Sequence, residues 1–153
     1  MSAPAHPTPG DITRRAAPAT TPAASTPHAV PTDGGLTAPG VLRASEVFRQ
    51  MFQQAMRISR MLPNTRLVAL TLLGYANFRT GVLNKYQPDI AGLARATGLP
   101  KDVVEVQIRV LTQRQWLTRH VPTRGPRQGQ EVLKLQIPAP ILTQLRERRR
   151  LEV

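Results

Sequence analysis

Residues 89–111, "DIAGLARATGLPKDVVEVQIRVL", hold two short runs of helical spacing joined by one glycine. This joint limits the possible folds more than any other stretch. Ile90, Leu93 and Ala94 mark one apolar face, and Val104, Ile108 and Leu111 mark another at i, i+4 and i+7. Asp89, after Pro88, is an N-cap because its carboxylate can accept the free N–H groups of a first helical turn. Gly98 supplies the left-handed residue that ends the first helix, and a second helix starts about Pro100, whose fixed φ suits a first turn. Leu99 in the turn and Leu117 beyond the end of the second helix complete the apolar layer.

After Trp116 the period changes from helix to strand. "WLTRHVP" and "EVLKLQIP", in which Leu133, Leu135 and Ile137 alternate with Lys134 and Gln136, flank the turn "TRGPRQGQ" and predict a β-hairpin. Upstream, "LVALTLLGYA" places Leu67, Val68, Leu70, Leu72 and Leu73 almost all round a helix, which predicts burial on most sides, with Gly74 admitting another helix. From Ser45, read as an N-cap, to Leu62, the residues Phe48, Met51, Ala55, Ile58 and Leu62 follow a 3-4-3-4 spacing. That helix either folds back on the domain or forms a dimerisation seam that also uses Phe52 and Met56. At the other end "ILTQLRERRRLEV" sets Ile141, Leu142 and Leu145 on one side of a short helix that ends in an arginine cluster able to contact phosphates.

Residues 1–40 differ in kind. They hold 8 of the 15 prolines and 9 alanines, have no aromatic residue and carry no net charge, a composition that predicts a disordered tail. Their "RRAAPATTPAASTPHAV" is poor in acids, as an organelle transit sequence is, but its prolines oppose the amphipathic helix such a sequence needs. The expected organisation is a tail at 1–40, an amphipathic helix at 41–62, a core domain at 63–138 and a basic helical segment at 139–153. The fold class is mainly α with a small β-hairpin.

"LVALTLLGYANFRTGVLNKYQPDIAGLARATGLPKDVVEVQIRVLTQRQWL" resembles the bacterial winged helix-turn-helix domains of plasmid and phage replication proteins and of GntR- and MarR-type regulators. The elements that carry the likeness are "LLGYAN", Pro88-Asp89, "LARATGL", the Val104, Ile108, Leu111 layer and "WL" at 116 and 117; together they cover roughly residues 64 to 138. Pro100, Val103 and Gln115 depart from the usual Ser, Thr and Gly. The resemblance implies a recognition helix from residue 100 and a wing made by the hairpin.

Charge agrees with an acidic partner. The formal net charge is +12, and all of it falls after residue 40, where 19 basic residues face 7 acidic ones. Nucleic acid is the commonest explanation of such a field, an anionic membrane surface the next and solubility alone the third. The longest apolar run is about half a bilayer span, so a soluble, cytoplasmic protein is expected. No cysteine is present, the three histidines are far apart, and no phosphate-loop, dinucleotide or zinc-protease motif occurs. No enzyme activity, cofactor or metal is expected.

The residues expected at the DNA are Pro100, Lys101, Val103, Glu105, Val106, Gln107 and Arg109 on the helix and Arg119, His120, Arg124 and Arg127 on the hairpin. Val103 and Val106 suit thymine methyl groups, whereas Lys101, Gln107 and Arg109 reach base edges or phosphates. Asp102 reads as a partner for the free amides at the helix start. Glu105 is a solvated residue, a filter against the wrong register or an acceptor for a cytosine amino group. Gly125 and Gly129 allow the hairpin backbone to approach a phosphate. Two functions follow from this reading: a homodimer bound to a specific duplex site, where it represses transcription or marks an origin as an accessory plasmid or phage replication protein does, or a module whose recognition helix and wing dock a protein partner.

Overall fold

The computed structural model describes residues 38–153. The tail expected at 1–40 therefore lies, except for its last three residues, outside the described residues. The described residues are mainly helical, with five helices and one two-stranded antiparallel sheet, in the order α1 (Phe48–Ile58), α2 (Pro63–Tyr75), α3 (Ile90–Thr97), α4 (Lys101–Gln113), β1 (Leu117–His120), β2 (Val132–Leu135) and α5 (Ala139–Leu151). No helix among the described residues is long and apolar enough to cross a membrane.

Helix α1 is shorter than its spacing suggests. Ser45 does not cap it: Val47 is the N-cap and makes no side-chain bond. Glu46 instead turns back, and its carboxylate accepts the Arg43 N–H at 2.8 Å. The helix stops at Ile58, after which Arg60 takes the left-handed φ of 56°. Leu62 thus leaves the helix, becomes the N-cap of α2 and is 72 % exposed. Phe48, Met51, Phe52, Ala55 and Met56 are buried at i, i+3, i+4, i+7 and i+8, while Ile58 is half-buried. Phe52 stacks 5.5 Å from Phe48 and meets Trp116 edge-on at 5.5 Å, a geometry worth about 0.5–1.5 kcal/mol per pair beyond area burial. Of the two readings of this helix, the fold-back describes the structure. The five residues assigned to a seam are not a free stripe, because three are core and one is off the helix.

Helix α2 is not buried all round. Thr65, Val68, Ala69, Leu72 and Leu73 face the core, but Leu67 and Leu70 on the reverse are 41 % and 42 % exposed. Gly74 lies on that same outer side, and a Cβ there would meet nothing within 4 Å among the described residues, so none of the described helices approaches it. The run is apolar on both faces, and periodicity alone does not say which face is covered.

The connection after α2 carries a third sheet contact that the alternation of residues did not reveal. Asn77 accepts the N–H groups of Arg79 and Thr80 through its side chain and that of Gly81 through its carbonyl, which folds the chain sharply. Gly81, at φ 73°, then lays residues 81–83 along β2: the Leu135 N–H donates to the Gly81 carbonyl at 2.8 Å and the Leu83 N–H to Leu133 at 2.9 Å. On the other side β2 pairs with β1 in the register Leu117↔Leu135 to His120↔Val132. The sequence 38–40 is also tied down. Gly40 N–H donates to Ile137 at 2.7 Å and Ala139 N–H to Ala38 at 2.9 Å, so these three residues belong to the fold rather than to a tail.

Helices α3 and α4 form the joint expected of them. The Asp89 carboxylate accepts the Gly92 N–H at 2.6 Å, and Gly98 ends α3 at φ 73°. Pro100 is the N-cap of α4 in an extended conformation. Gln115 is left-handed at φ 61°. Its carbonyl accepts the Gln136 side-chain amide at 2.9 Å, which helps hold a non-glycine residue in that conformation. Leu142 and Leu145 of α5 complete the core against α1.

Candidate nucleic-acid interface

The outward side of α4 is set by its buried side. Val104, Gln107 and Leu111 face inward, leaving Lys101, Asp102, Glu105 and Arg109 exposed, with Val106 49 % exposed among them. Pro100 is exposed at the start and Val103 is half-buried at the flank. Two cations stand with two carboxylates on this face, so it is neutral as a whole. Asp102 makes no side-chain cap bond; its contribution is the charge it places in the positive first turn.

Gln107 is a correction. It is only 9 % exposed, and its Oε1 accepts the Thr65 hydroxyl of α2 at 2.6 Å, so its side chain bridges two helices and does not reach outward. The physical reason was present in the spacing. Position 107 is three after Val104 and four before Leu111, which puts it on the inward face. A polar group there is tolerated because Thr65 satisfies it.

The hairpin carries the clearest excess of positive charge near α4. Arg124 is exposed, Arg127 and His120 are half-buried, and Arg119 is tied to Glu131 by an exposed pair at 3.4 Å. The eleven-residue turn is closed by backbone bonds, from Gly129 N–H to Pro122 at 3.1 Å and from Gln128 N–H to Gly125 at 3.1 Å. Gly125 and Gly129 have φ of 99° and 74°, so turn geometry itself favours glycine at both positions, whatever approaches them. A segment missed in the sequence braces the turn: the Gln87 side chain accepts the Leu133 N–H at 2.8 Å, and the Asn84 amide lies 3.8 Å from where a Gly125 Cβ would be. The structure thus brings Lys101, Glu105, Val106 and Arg109 onto one helix face, and Arg124 and Arg127 onto the hydrogen-bonded turn of the hairpin that follows it. Among the described residues no group of three or more His, Asp or Glu side chains is placed to hold a metal ion.

A second concentration of arginine lies on α1 and α5. Between them is the least exposed ion pair in the described chain, Arg146 Nη2 to Glu46 Oε2 at 2.6 Å, reinforced by Arg146 Nε to Glu46 Oε1 at 2.9 Å and Arg146 Nη2 to the Val41 carbonyl at 2.9 Å. These hydrogen bonds, aided by the Arg43 N–H, hold the Glu46 carboxyl at about 2, far below its ordinary range, against the opposing pull of burial. The same pair raises the Arg146 guanidinium further above its usual value. The sign follows: the folded chain favours the ionised carboxylate, so this stabilisation is present above about pH 4.5 and lost as pH falls towards 2. Glu46→Gln should cost on the order of 1–2 kcal/mol at pH 7 and remove that part of the acid dependence. Urea titrations of both proteins between pH 2 and 7 check it, and parallel pH profiles would dismiss the pair as a stabilising contact.

Comparison with protein-family models, with curated proteins and with solved structures finds no match to this chain.

Proposed function

We propose that the chain is a sequence-specific double-stranded-DNA-binding protein of winged helix-turn-helix type, acting as a transcriptional regulator. In this reading α3 and α4 are the helix-turn-helix, α4 enters the major groove, and the hairpin is a wing on the adjacent groove or backbone. The observation that carries it is the capped joint Asp89–Gly98–Pro100 leading into an exposed α4 face and then into a rigid arginine turn, in a chain of net charge +12. Affinity and selectivity divide between the two parts. The neutral face of α4 adds little general attraction, so Lys101, Val106, Arg109 and Glu105 discriminate between base pairs, while Arg124 and Arg127 bind phosphates of any sequence.

A second reading keeps support from α4 itself. Its neutral outer face around a half-exposed Val106 suits a protein partner as well as it suits a groove.

Selection from random duplexes at near-physiological salt separates the two. Enrichment of one duplex sequence is expected, and no enrichment overturns the regulator in favour of the docking module. On the selected duplex, Arg124→Ala with Arg127→Ala should flatten the slope of log affinity against log salt by about 2 and weaken all duplexes alike. Arg119 is left out of this variant because Glu131 already engages it. Lys101→Ala should instead cost about 1–3 kcal/mol on the preferred site and little on random DNA.

A further inference from the structure

We propose that the arginines of α1 and α5 form a second phosphate-binding surface, separate from α4 and the hairpin, by which one chain holds two duplex segments at once. The inference rests on the proposed function for the first segment only.

The surface is built around Arg149. Its Nε donates to the Gln54 Oε1 of α1 at 3.0 Å, which lays the side chain across both helices, and it lines two adjoining grooves. Arg43 and Arg150 line one of them; Arg57 and Arg148 line the other. All five are exposed. None of their guanidinium groups has a carboxylate within 4.0 Å among the described residues, although the Arg43 backbone N–H donates to Glu46. Glu46, which lines the groove with Arg43 and Arg150, is engaged by Arg146, so that pair ties α5 to the segment before α1 and leaves the five guanidinium groups without an acid partner among the described residues. Glu152 is the one acid lining either groove besides Glu46.

Helix ends account for part of this charge and no more. Arg57 stands in the last turn of α1, and Arg148, Arg149 and Arg150 stand in that of α5, where cations offset the negative end of the helix. Each end amounts to about half an elementary charge, so two ends offset roughly one of five arginines. The rest remain as planar forks, the geometry that grips phosphate oxygens in pairs. Two grooves sharing Arg149 make a line of such forks along the helix pair, which fits a linear polyanion better than a single small anion.

Position separates this ridge from the first site. Helix α5 packs on α1, α1 on α2, and α2 on α4, so the outer sides of α5 and α4 stand at the two ends of the packing order. In this proposal a duplex in contact with α4 and the hairpin leaves the ridge open for a second one.

The test uses the full chain and a variant, Arg57→Gln, Arg148→Gln, Arg149→Gln and Arg150→Gln, all at exposed positions, with Glu46 and Arg146 intact. A random-sequence duplex immobilised on beads is offered a second, labelled duplex in solution. The unmodified chain should capture the labelled duplex and the variant should not, and the variant's salt slope on random DNA should fall by about 3 to 4 while its base-pair preference stays. Capture undiminished in the variant overturns the proposal, since a dimer joining two duplexes through its hairpins would behave in that way. An unchanged salt slope overturns it as well, and binding of the unmodified chain, but not the variant, to phosphatidylserine vesicles would then assign the ridge to lipid. If instead the ridge variant loses capture while Arg124→Ala with Arg127→Ala changes nothing, the ridge stands and the hairpin reading falls.

Discussion

Alanine at position 81 is expected to destabilise the chain by about 3 kcal/mol or more, read from urea or thermal unfolding. Two costs combine. At φ 73° a side chain sits in the left-handed region, for about 1 kcal/mol. In addition its Cβ would lie 2.4 Å from the Leu135 carbonyl oxygen and 2.6 Å from the Phe48 ring, closer than real Cβ atoms come. Neither neighbour can yield cheaply. Leu135 is held by the Gly81 carbonyl on one side and by its pairing with Leu117 on the other, and Phe48 is packed on Phe52. Gly98→Ala is the internal control, because Gly98 has the same φ of 73° but nothing within 4 Å of a Cβ. It should cost only about 1 kcal/mol. Equal losses at the two positions would show that residues 81–83 are not clamped between α1 and β2.

Gly81 also shows where reading the sequence stops. The residues "TGVLNK" have no alternation long enough to announce a strand, and their pairing partner lies some fifty residues away, so neither period nor turn chemistry points to β2. Where the determinants are local, they were legible. Asp89, Gly98 and Pro100 fix the ends of α3 and α4 through capping and backbone preference, and the hairpin announces itself by alternation around a glycine-containing turn. Leu67 and Leu70 failed for a different reason: on a helix apolar on both faces, only neighbours distant in sequence decide which face is covered. Gln107 is inward by spacing and polar by chemistry, and its position decides where it sits because Thr65 satisfies its amide in the core. The candidate site was therefore half visible. Which arginines stand free and which are engaged, as Arg119 and Arg146 are, depends on contacts that no local pattern encodes.

Met51→Lys is expected to abolish cooperative folding, not to yield a folded monomer. Met51 is 1 % exposed on the inner side of α1, between Phe48 and Ala55, and a lysine there would bury a charge with no partner. That penalty is several kcal/mol, comparable with the whole stability of an ordinary domain. The same substitution along the residues once assigned to a seam should give a graded series. Ala55→Lys, at 0 % exposure, should be as damaging as Met51→Lys; Ile58→Lys, half-buried at the helix end, should be milder because a long side chain can carry its ammonium to water; Leu62→Lys, at 72 % exposure, should stay within about 0.5 kcal/mol. A two-fold seam predicts another pattern, in which Leu62→Lys and Met51→Lys both leave a folded chain and both lower its mass in sedimentation. Circular dichroism and ultracentrifugation on the four variants decide between them. Folded, monomeric Met51→Lys would mean that α1 is covered by a second copy in solution instead of by its own core, and the ridge it forms with α5 would have to be rebuilt around that pairing.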